Sequence, residues 1–145
     1  MKEIWKESTN EVLRNQLDSG IADLLEGKNE SALETFSSIV EDDASYGEAW
    51  NKKATVHYMM GEMQESLAAA KEALGIEPRN FQALAGVGLV EMDTYRFDNA
   101  ADAFRRSLAL NPWSMVSARL SVCLSRMKEK DVPKHSDWPW NREST

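Results

Sequence analysis

The feature that most constrains this chain is a pattern that returns at a fixed interval of about 34 residues. When residues 81–114 are written beneath residues 47–80, the two closing prolines, Pro112 and Pro78, fall in the same column. The same frame carried back over residues 13–46 aligns small and aromatic residues more loosely. A fixed period of this size is typical of proteins built from stacked structural repeats. The sequence therefore predicts three copies of one unit.

Apolar residues within each copy recur at intervals of three and four, the period of an α-helix, in two runs separated by a short turn. Gly27 and Gly61 supply the conformational freedom that such turns need. Serine-to-glutamate capping boxes predict that one helix begins near Ser8 and that another begins near Ser45. Each copy is therefore expected to be a helix-turn-helix hairpin.

The third copy is followed by a signal for one more helix. Its own helices are predicted at about 80–93 and 98–110. Asn111 and Pro112 then have the order of a helix cap followed by a first helical residue. The additional helix is expected to run to about Met127 and to have no partner helix.

These elements divide the chain into consecutive segments. We expect an N-terminal extension at 1–8, three repeat units within 9–114 (13–46, 47–80 and 81–114), a capping helix at 115–127 and an extended tail at 128–145. The tail contains two prolines and no helical period, and it carries Trp138 and Trp140 in polar surroundings. Large aromatic residues are depleted in disordered tails, so these two are predicted to dock on a surface.

Small and aromatic residues recur at fixed places in the second and third copies. The places are occupied by Trp50, Ala54, Gly61, Leu67, Ala73 and Pro78, and then by Leu84, Gly88, Phe97, Ala100, Phe104, Leu108 and Pro112. This pattern resembles the tetratricopeptide repeat. The sequence of these copies is also similar to that of poorly characterised bacterial and plastid members of that family. The resemblance covers 13–114 and implies an all-α fold, an α-solenoid of three repeats with a capping helix.

Two places depart from the family pattern. The usual tyrosine of the first helix is replaced by Asp23, His57 and Glu91, and the first copy ends in Ala44 instead of proline. Equivalent points on stacked helices lie about 8–10 Å apart, whereas metal ligands sit about 2 Å from the metal. We therefore expect no metal site, and we interpret His57 as a hydrogen-bonded residue between helices.

The charge of the chain is unevenly distributed. Its net charge is −7, and the first fifty residues hold 12 acidic side chains against 4 lysines and arginines. An acidic surface repels phosphate backbones, so nucleic acid is not an expected partner, whereas basic protein segments are attracted to it. An equally simple interpretation is that the acids form a solvated helix face that keeps the protein soluble.

Other sequence features exclude further classes of function. No apolar run approaches the roughly 18 residues that span a bilayer, so membrane insertion is not expected. No secretory signal is visible, and the single Cys123 forms no internal disulfide, which together favour an intracellular location, in the cytoplasm or an organelle interior. No phosphate loop, dinucleotide fingerprint or hydrolase motif occurs, so we expect neither an enzyme nor a bound cofactor.

Cys123 permits two interpretations. It lies four residues from Arg119 and three from Arg126 on the predicted capping helix, and these cations would lower the pKa of its thiol. Free cysteines are, however, usually packed as small hydrophobic residues, so a structural role is favoured.

The resemblance implies a binding surface, because family members bind partners on a concave face lined by the first helix of each pair. The corresponding residues here are Arg14, Leu17, Ile21 and Leu24, then Asn51, Thr55, Tyr58 and Met59, then Gln82, Leu89 and Met92, with Arg119 from the capping helix. Members that clamp the carboxylate of a chaperone C-terminal tail share a Lys/Asn/Arg set. Those places hold Leu17, Ile21, Lys52, Gln82 and Gly86 here, so a chaperone tail is not the expected partner.

Three interpretations of this apolar surface remain open. First, it binds a helix or peptide of another protein, so that the chain is an interaction scaffold, an adaptor, an accessory subunit or a chaperone-like assembly factor. Second, the tail with Trp138 and Trp140, from this chain or a neighbour, fills the groove of a structural subunit. Third, these residues are core beneath an extended first helix, and the tail tryptophans contact the convex face. The sequence favours no particular oligomeric state.

Overall fold

The computed structural model describes residues 2–129, with side chains from residue 10 onward. These residues form seven α-helices and no β-strand: α1 Lys2–Leu25, α2 Asn29–Asp42, α3 Gly47–Met59, α4 Met63–Ile76, α5 Phe81–Asp93, α6 Phe97–Leu110 and α7 Ser117–Lys128. The predicted all-α helical-repeat fold is therefore confirmed. The tail tryptophans, Trp138 and Trp140, lie outside the described residues.

The first helix begins earlier than the sequence predicted. Helix α1 starts at Lys2, so Ser8 lies inside the helix and does not cap it. The residues before Ser8 include no glycine or proline, and lysine and glutamate are good helix formers, so the helix continues through them.

The capping box predicted at Ser45 is also wrong. Helix α3 has Tyr46 at its N-cap position and no side-chain cap. Ser45 instead donates both its hydroxyl and its backbone N–H to Asp43 Oδ1, at 2.6 and 3.0 Å. These two hydrogen bonds lower the pKa of the Asp43 carboxyl.

The last helix begins five residues after the predicted first position. Asn111 is the C-cap of α6, and α7 starts only at Ser117. The side chain of Asn111 accepts a hydrogen bond from the backbone N–H of Trp113 at 3.3 Å, and its carbonyl accepts one from Ser114 at 3.1 Å. These bonds form a turn, so Pro112 lies in a connection and not in a helix.

The three turns between paired helices share one backbone conformation. Gly27 and Gly61 have φ of +80° and +78°, and Tyr95, at the equivalent place in the third hairpin, has φ of +64°. A left-handed residue other than glycine costs about 1–2 kcal/mol. The ring of Tyr95 packs edge-to-face on Phe97, with centroids 6.1 Å apart, and this contact offsets part of that cost.

The chain divides into two compact units, one up to Pro78 and one from Arg79 onward. In unit 1, α1 packs on α2 and α3 packs on α4, and α2 also contacts α3. Its core consists of Leu13, Leu17, Ala32, Phe36, Ile39, Val40, Ala49 and Val56. In unit 2, α6 packs on both α5 and α7, around a core of Phe97, Ala100, Ala101, Phe104, Val116 and Cys123.

Small residues let the paired helices approach closely, as the sequence predicted. A Cβ atom added to Gly20 would lie 2.6 Å from the ring of Phe36, and one added to Gly88 would lie 2.4 Å from the ring of Phe104. Both phenylalanines are fully buried. The hydrogen at each glycine therefore leaves the space that a buried ring on the facing helix fills.

The two glycines of α5 provide a matched test of this contact. Gly88→Ala is expected to lower the free energy of unfolding by about 1–3 kcal/mol, because the added methyl group overlaps the fully buried Phe104. Gly86→Ala, two residues away and with nothing within 4 Å of its added Cβ, should raise it by about 0.5–1 kcal/mol through helix propensity. Urea unfolding followed by circular dichroism measures both. If the free energy of unfolding changed in the same direction for both variants, the assigned packing would be contradicted.

Candidate functional site

The residues predicted to line the binding surface come from both compact units, so each unit is described in turn. In unit 1, Leu17 is only 3% exposed and belongs to the core, and Asn51 is also buried. Ile21 and Leu24 are half-buried and pack against the same core. These side chains stabilise unit 1, and Leu17 in particular is not available to a partner at the surface.

The exposed members of the predicted set in unit 1 are Arg14, Thr55 and Met59. The hydroxyl of Thr55 donates a hydrogen bond to the carbonyl of Asn51 at 3.1 Å, so it already has a partner within α3. Tyr58 is half-buried. The surface offered by the first helices of unit 1 is thus more polar than the sequence predicted.

Tyr46 is a residue of this surface that the sequence analysis missed. It is half-buried and packs against the core of unit 1. Burial raises the pKa of its phenol, and so do the nearby carboxylates of Glu48 and Asp18, whereas Arg14 acts in the opposite direction. The side chain therefore lies among the charged groups of α1 and α3. In the sequence, its position immediately before the first residue of α3 is the feature that could have identified it.

Exposed apolar side chains are concentrated where the first helices of unit 1 end. Leu25 ends α1 and is 82% exposed, and Met59, at the equivalent place in the next repeat, is 61% exposed. The adjacent Met60 is 37% exposed. We call Leu25, Met59 and Met60 the turn-edge patch. Only Met59 was in the predicted set, although all three end a helical run.

A cavity of about 490 Å³ adjoins the turn-edge patch. It is lined by Met60 and by residues 27–31, which form the turn and the first residues of α2. The side-chain oxygen of Asn29 is shielded from solvent and has no hydrogen-bond partner within the described protein. The cavity is thus bordered by one apolar side chain and by the polar residues of the turn.

In unit 2, too, the predicted residues divide into half-buried apolar side chains and exposed polar ones. Leu89 and Met92 are half-buried and pack against the core cluster that contains Phe97 and Phe104. Gln82 and Arg119 are exposed. The apolar members therefore pack on the core of unit 2.

Comparison with known sequences gives distant relatives. No protein-family model matches the chain. A TPR repeat-containing protein of Rhizobium etli is 26% identical over 108 residues, which cover 74% of this chain and 53% of that protein. Anaphase-promoting complex subunit 3 of Schizosaccharomyces pombe is 26% identical over 116 residues, 79% of this chain and 17% of that protein. This chain thus spans about half the length of the first relative and less of the second.

Comparison with solved structures concerns the fold. The first TPR of Spaghetti (RPAP3), bound to the HSP90 peptide SRMEEVD, has a TM-score of 0.77 at 13% identity, over 81% of this chain and 94% of that chain. This likeness agrees with the sequence period and the three helix pairs described above. The chain has the fold of a tetratricopeptide repeat domain. Among the residues that the structure describes, no helix is both long and apolar enough to cross a membrane.

The places where the tetratricopeptide repeat usually has tyrosine hold polar side chains that contact the start of the second helix. In the first repeat, Ser31 donates its hydroxyl to Asp23 Oδ2 at 2.7 Å. In the second, the buried His57 lies with Nδ1 3.2 Å from Glu62 Oε1. The interpretation of His57 as a hydrogen-bonded residue between helices is therefore confirmed.

In the third repeat, different residues make the equivalent contact between the first helix and the start of the second. Glu91 is buried, and its Oε2 accepts a hydrogen bond from the amide of Asn99 at 3.4 Å and lies 3.7 Å from the guanidinium of Arg96. Each polar residue thus has a partner in its own hairpin. Within the described part of the chain, no three His, Cys, Asp or Glu side chains are arranged to hold a metal ion.

Cys123 is fully buried in the core of unit 2, where it packs with Phe97 and Phe104. Burial raises the pKa of its thiol. The alternative of a thiol activated by neighbouring arginines is therefore wrong: Arg119 is exposed, and the guanidinium of Arg126 lies over the ring of Phe97, 5.5 Å from its centroid. Cys123 is a structural residue of unit 2.

The thiol of Cys123 is expected to react slowly in the folded protein. Alkylation by iodoacetamide at neutral pH should be slower than in urea by a factor of about a hundred or more, because only the small opened fraction exposes the thiol. Mass spectrometry of quenched time points measures both rates, and the urea sample is the control for intrinsic reactivity. Native-state alkylation at the rate of a free cysteine would show that α7 does not cover Cys123.

Proposed function

We propose that this tetratricopeptide repeat protein is a protein–protein interaction scaffold, an adaptor or accessory subunit of a larger assembly, which binds a helix or peptide through unit 1. The observation that carries the proposal is the turn-edge patch, where Leu25, Met59 and Met60 are exposed beside the cavity. Flexible methionine side chains adapt to varied apolar partners. Clustered exposed apolar residues mark interaction sites on soluble proteins.

The charges around the patch favour a basic partner. Glu30 lines the cavity, and Glu26 and Glu62 flank the patch in sequence. Lys28 is the one cation among the cavity-lining residues, and its ammonium group is 2.9 Å from Glu26. The first fifty residues carry the acidic excess of the whole chain. A partner with apolar anchors and basic flanks would therefore be steered to this surface.

This partner chemistry differs from that of the structural relative. The Spaghetti (RPAP3) structure contains an HSP90 peptide, SRMEEVD, which is rich in acidic residues. The places where chaperone-binding repeats carry a Lys/Asn/Arg set include Leu17 and Ile21 here, and Leu17 is buried in the core. A chaperone-like role that depends on an acidic tail is thus less well supported than binding of a basic amphipathic helix.

Two synthetic amphipathic helices of equal length, one of leucine and lysine and one of leucine and glutamate, test this proposal. The lysine peptide should shift the backbone amide resonances of Leu25, Met59 and Met60 in the full-length protein, and the glutamate peptide should not. Added salt should weaken the binding, because surface electrostatics are screened. Two-dimensional NMR titration measures the site and the affinity together.

A pair of serine substitutions locates the contact. Replacing both Met59 and Met60 by serine should raise the dissociation constant of the lysine peptide about tenfold, which corresponds to about 1.4 kcal/mol. Met127→Ser, at an exposed methionine of unit 2, is the matched control and should leave it unchanged. Equal effects of the two changes, or equal binding of both peptides, would overturn the proposed site.

A further inference from the structure

One side of α7 is uncovered in unit 2 and carries apolar residues. The other side packs Leu120, Cys123 and Leu124 against the core. The uncovered side presents Val122, which is 47% exposed, and also Ala118, one helical turn earlier. The connection before α7 adds Met115 and Trp113, which are 86% and 91% exposed. We call Trp113, Met115, Ala118 and Val122 the α7 outer face.

The repeat frame explains why this face is uncovered. Val122 lies one repeat period after Gly88, and Ala118 lies one repeat period after Leu84. In α5 these places face the second helix of the hairpin, since a Cβ added to Gly88 would meet Phe104 on α6. Helix α7 is the first helix of a half-repeat, and no second helix follows it among the described residues. The segment that follows it in the chain is residues 130–145.

We propose that residues 130–145 pack on the α7 outer face, with Trp138 and Trp140 against Met115 and Val122. In this arrangement the tail takes the place of the second helix of a fourth hairpin. The rings of Trp138 and Trp140 cover the apolar side chains there, and sulfur–aromatic contact with Met115 adds to this burial.

The length of the tail permits this packing. The tail starts where α7 ends, because α7 extends to Lys128 and only Glu129 intervenes. An extended chain advances about 3.3–3.6 Å per residue, and a helix advances about 1.5 Å. The ten residues from Glu129 to Trp138 therefore reach back beyond the whole of the twelve-residue α7. Trp138 and Trp140 can lie at either end of the face.

The side chains also favour an extended segment over another helix. The close helix contacts in the other hairpins require the small residues Gly20 and Gly88, and the equivalent place on α7 is the branched Val122. A helix cannot approach Val122 as closely as α6 approaches Gly88. Pro133 and Pro139 also interrupt any helix across the tail. A fourth hairpin or an end-to-end stacked repeat is thus a poorer match for this face.

This proposal is independent of partner binding by unit 1. The α7 outer face belongs to unit 2, and the turn-edge patch belongs to unit 1. Loss of peptide binding to unit 1 and loss of tail packing on α7 are therefore separate experimental results.

Paramagnetic relaxation in the full-length protein tests the proposal. A nitroxide attached through Glu143→Cys labels the tail selectively, because Cys123 is fully buried. The amide resonances of Met115, Ala118 and Val122 are expected to lose most of their intensity, and those of α1 and α3 are not. Adding Trp138→Ala and Trp140→Ala should restore the lost intensity. Asn141→Ala, a change in the same tail, is the control and should restore none.

Mixing labelled and unlabelled chains identifies the occupant. When the nitroxide is on one chain and ¹⁵N on another, no broadening is expected, because the tail packs on its own α7. Broadening between chains would overturn intramolecular packing in favour of a second copy. Broadening confined to α1 and α3 would show that the tail fills the groove of the first helices instead. Absence of broadening on every helix would show that the tail does not dock, and this also overturns the proposal.

Discussion

The close approach of paired helices at glycine is the contact on which the rest of this structure depends. Phe36 and Phe104 are fully buried, and each fills the space left by a glycine on the facing helix. The buried ring fits there only because the facing residue has no side chain. The glycine and the phenylalanine of each pair therefore depend on each other. In the second repeat, a hydrogen bond joins the paired helices instead. Ser66 on α4 donates its hydroxyl to the carbonyl of Ala54 on α3 at 2.8 Å.

Polar contacts hold the other end of each hairpin. The place that has tyrosine in related repeats is occupied by Asp23, His57 or Glu91, and each contacts the start of its own second helix. The chemistry differs between hairpins, but the contact keeps the same position in each. The sequence alone shows three metal-binding residue types at equal spacing. The structure shows three separate intra-hairpin contacts instead, because the partner of each lies only five to eight residues away.

The surfaces available for binding are those that the cores leave unused. Leu17 lies in the core of unit 1, while Leu89 and Met92 pack against that of unit 2, so they stabilise the hairpins. Exposed apolar side chains occur instead at places that include the turn-edge patch and the α7 outer face. This distribution follows from repeat architecture, since interior repeats are covered by neighbours and helix ends and terminal helices are not.

The repeat period, the apolar spacing and the turn glycines determined the fold, because helix pairing follows from local periodicity and short connections. Tertiary structure decided what each residue does. Periodicity places Leu17 and Met59 alike on first helices, yet only packing makes one buried and the other exposed. Tertiary structure also decided that Ser45 hydrogen-bonds Asp43 instead of capping α3, because short polar side chains have several local partners within reach. Capping signals and surface assignments therefore required the structure, whereas the repeat did not.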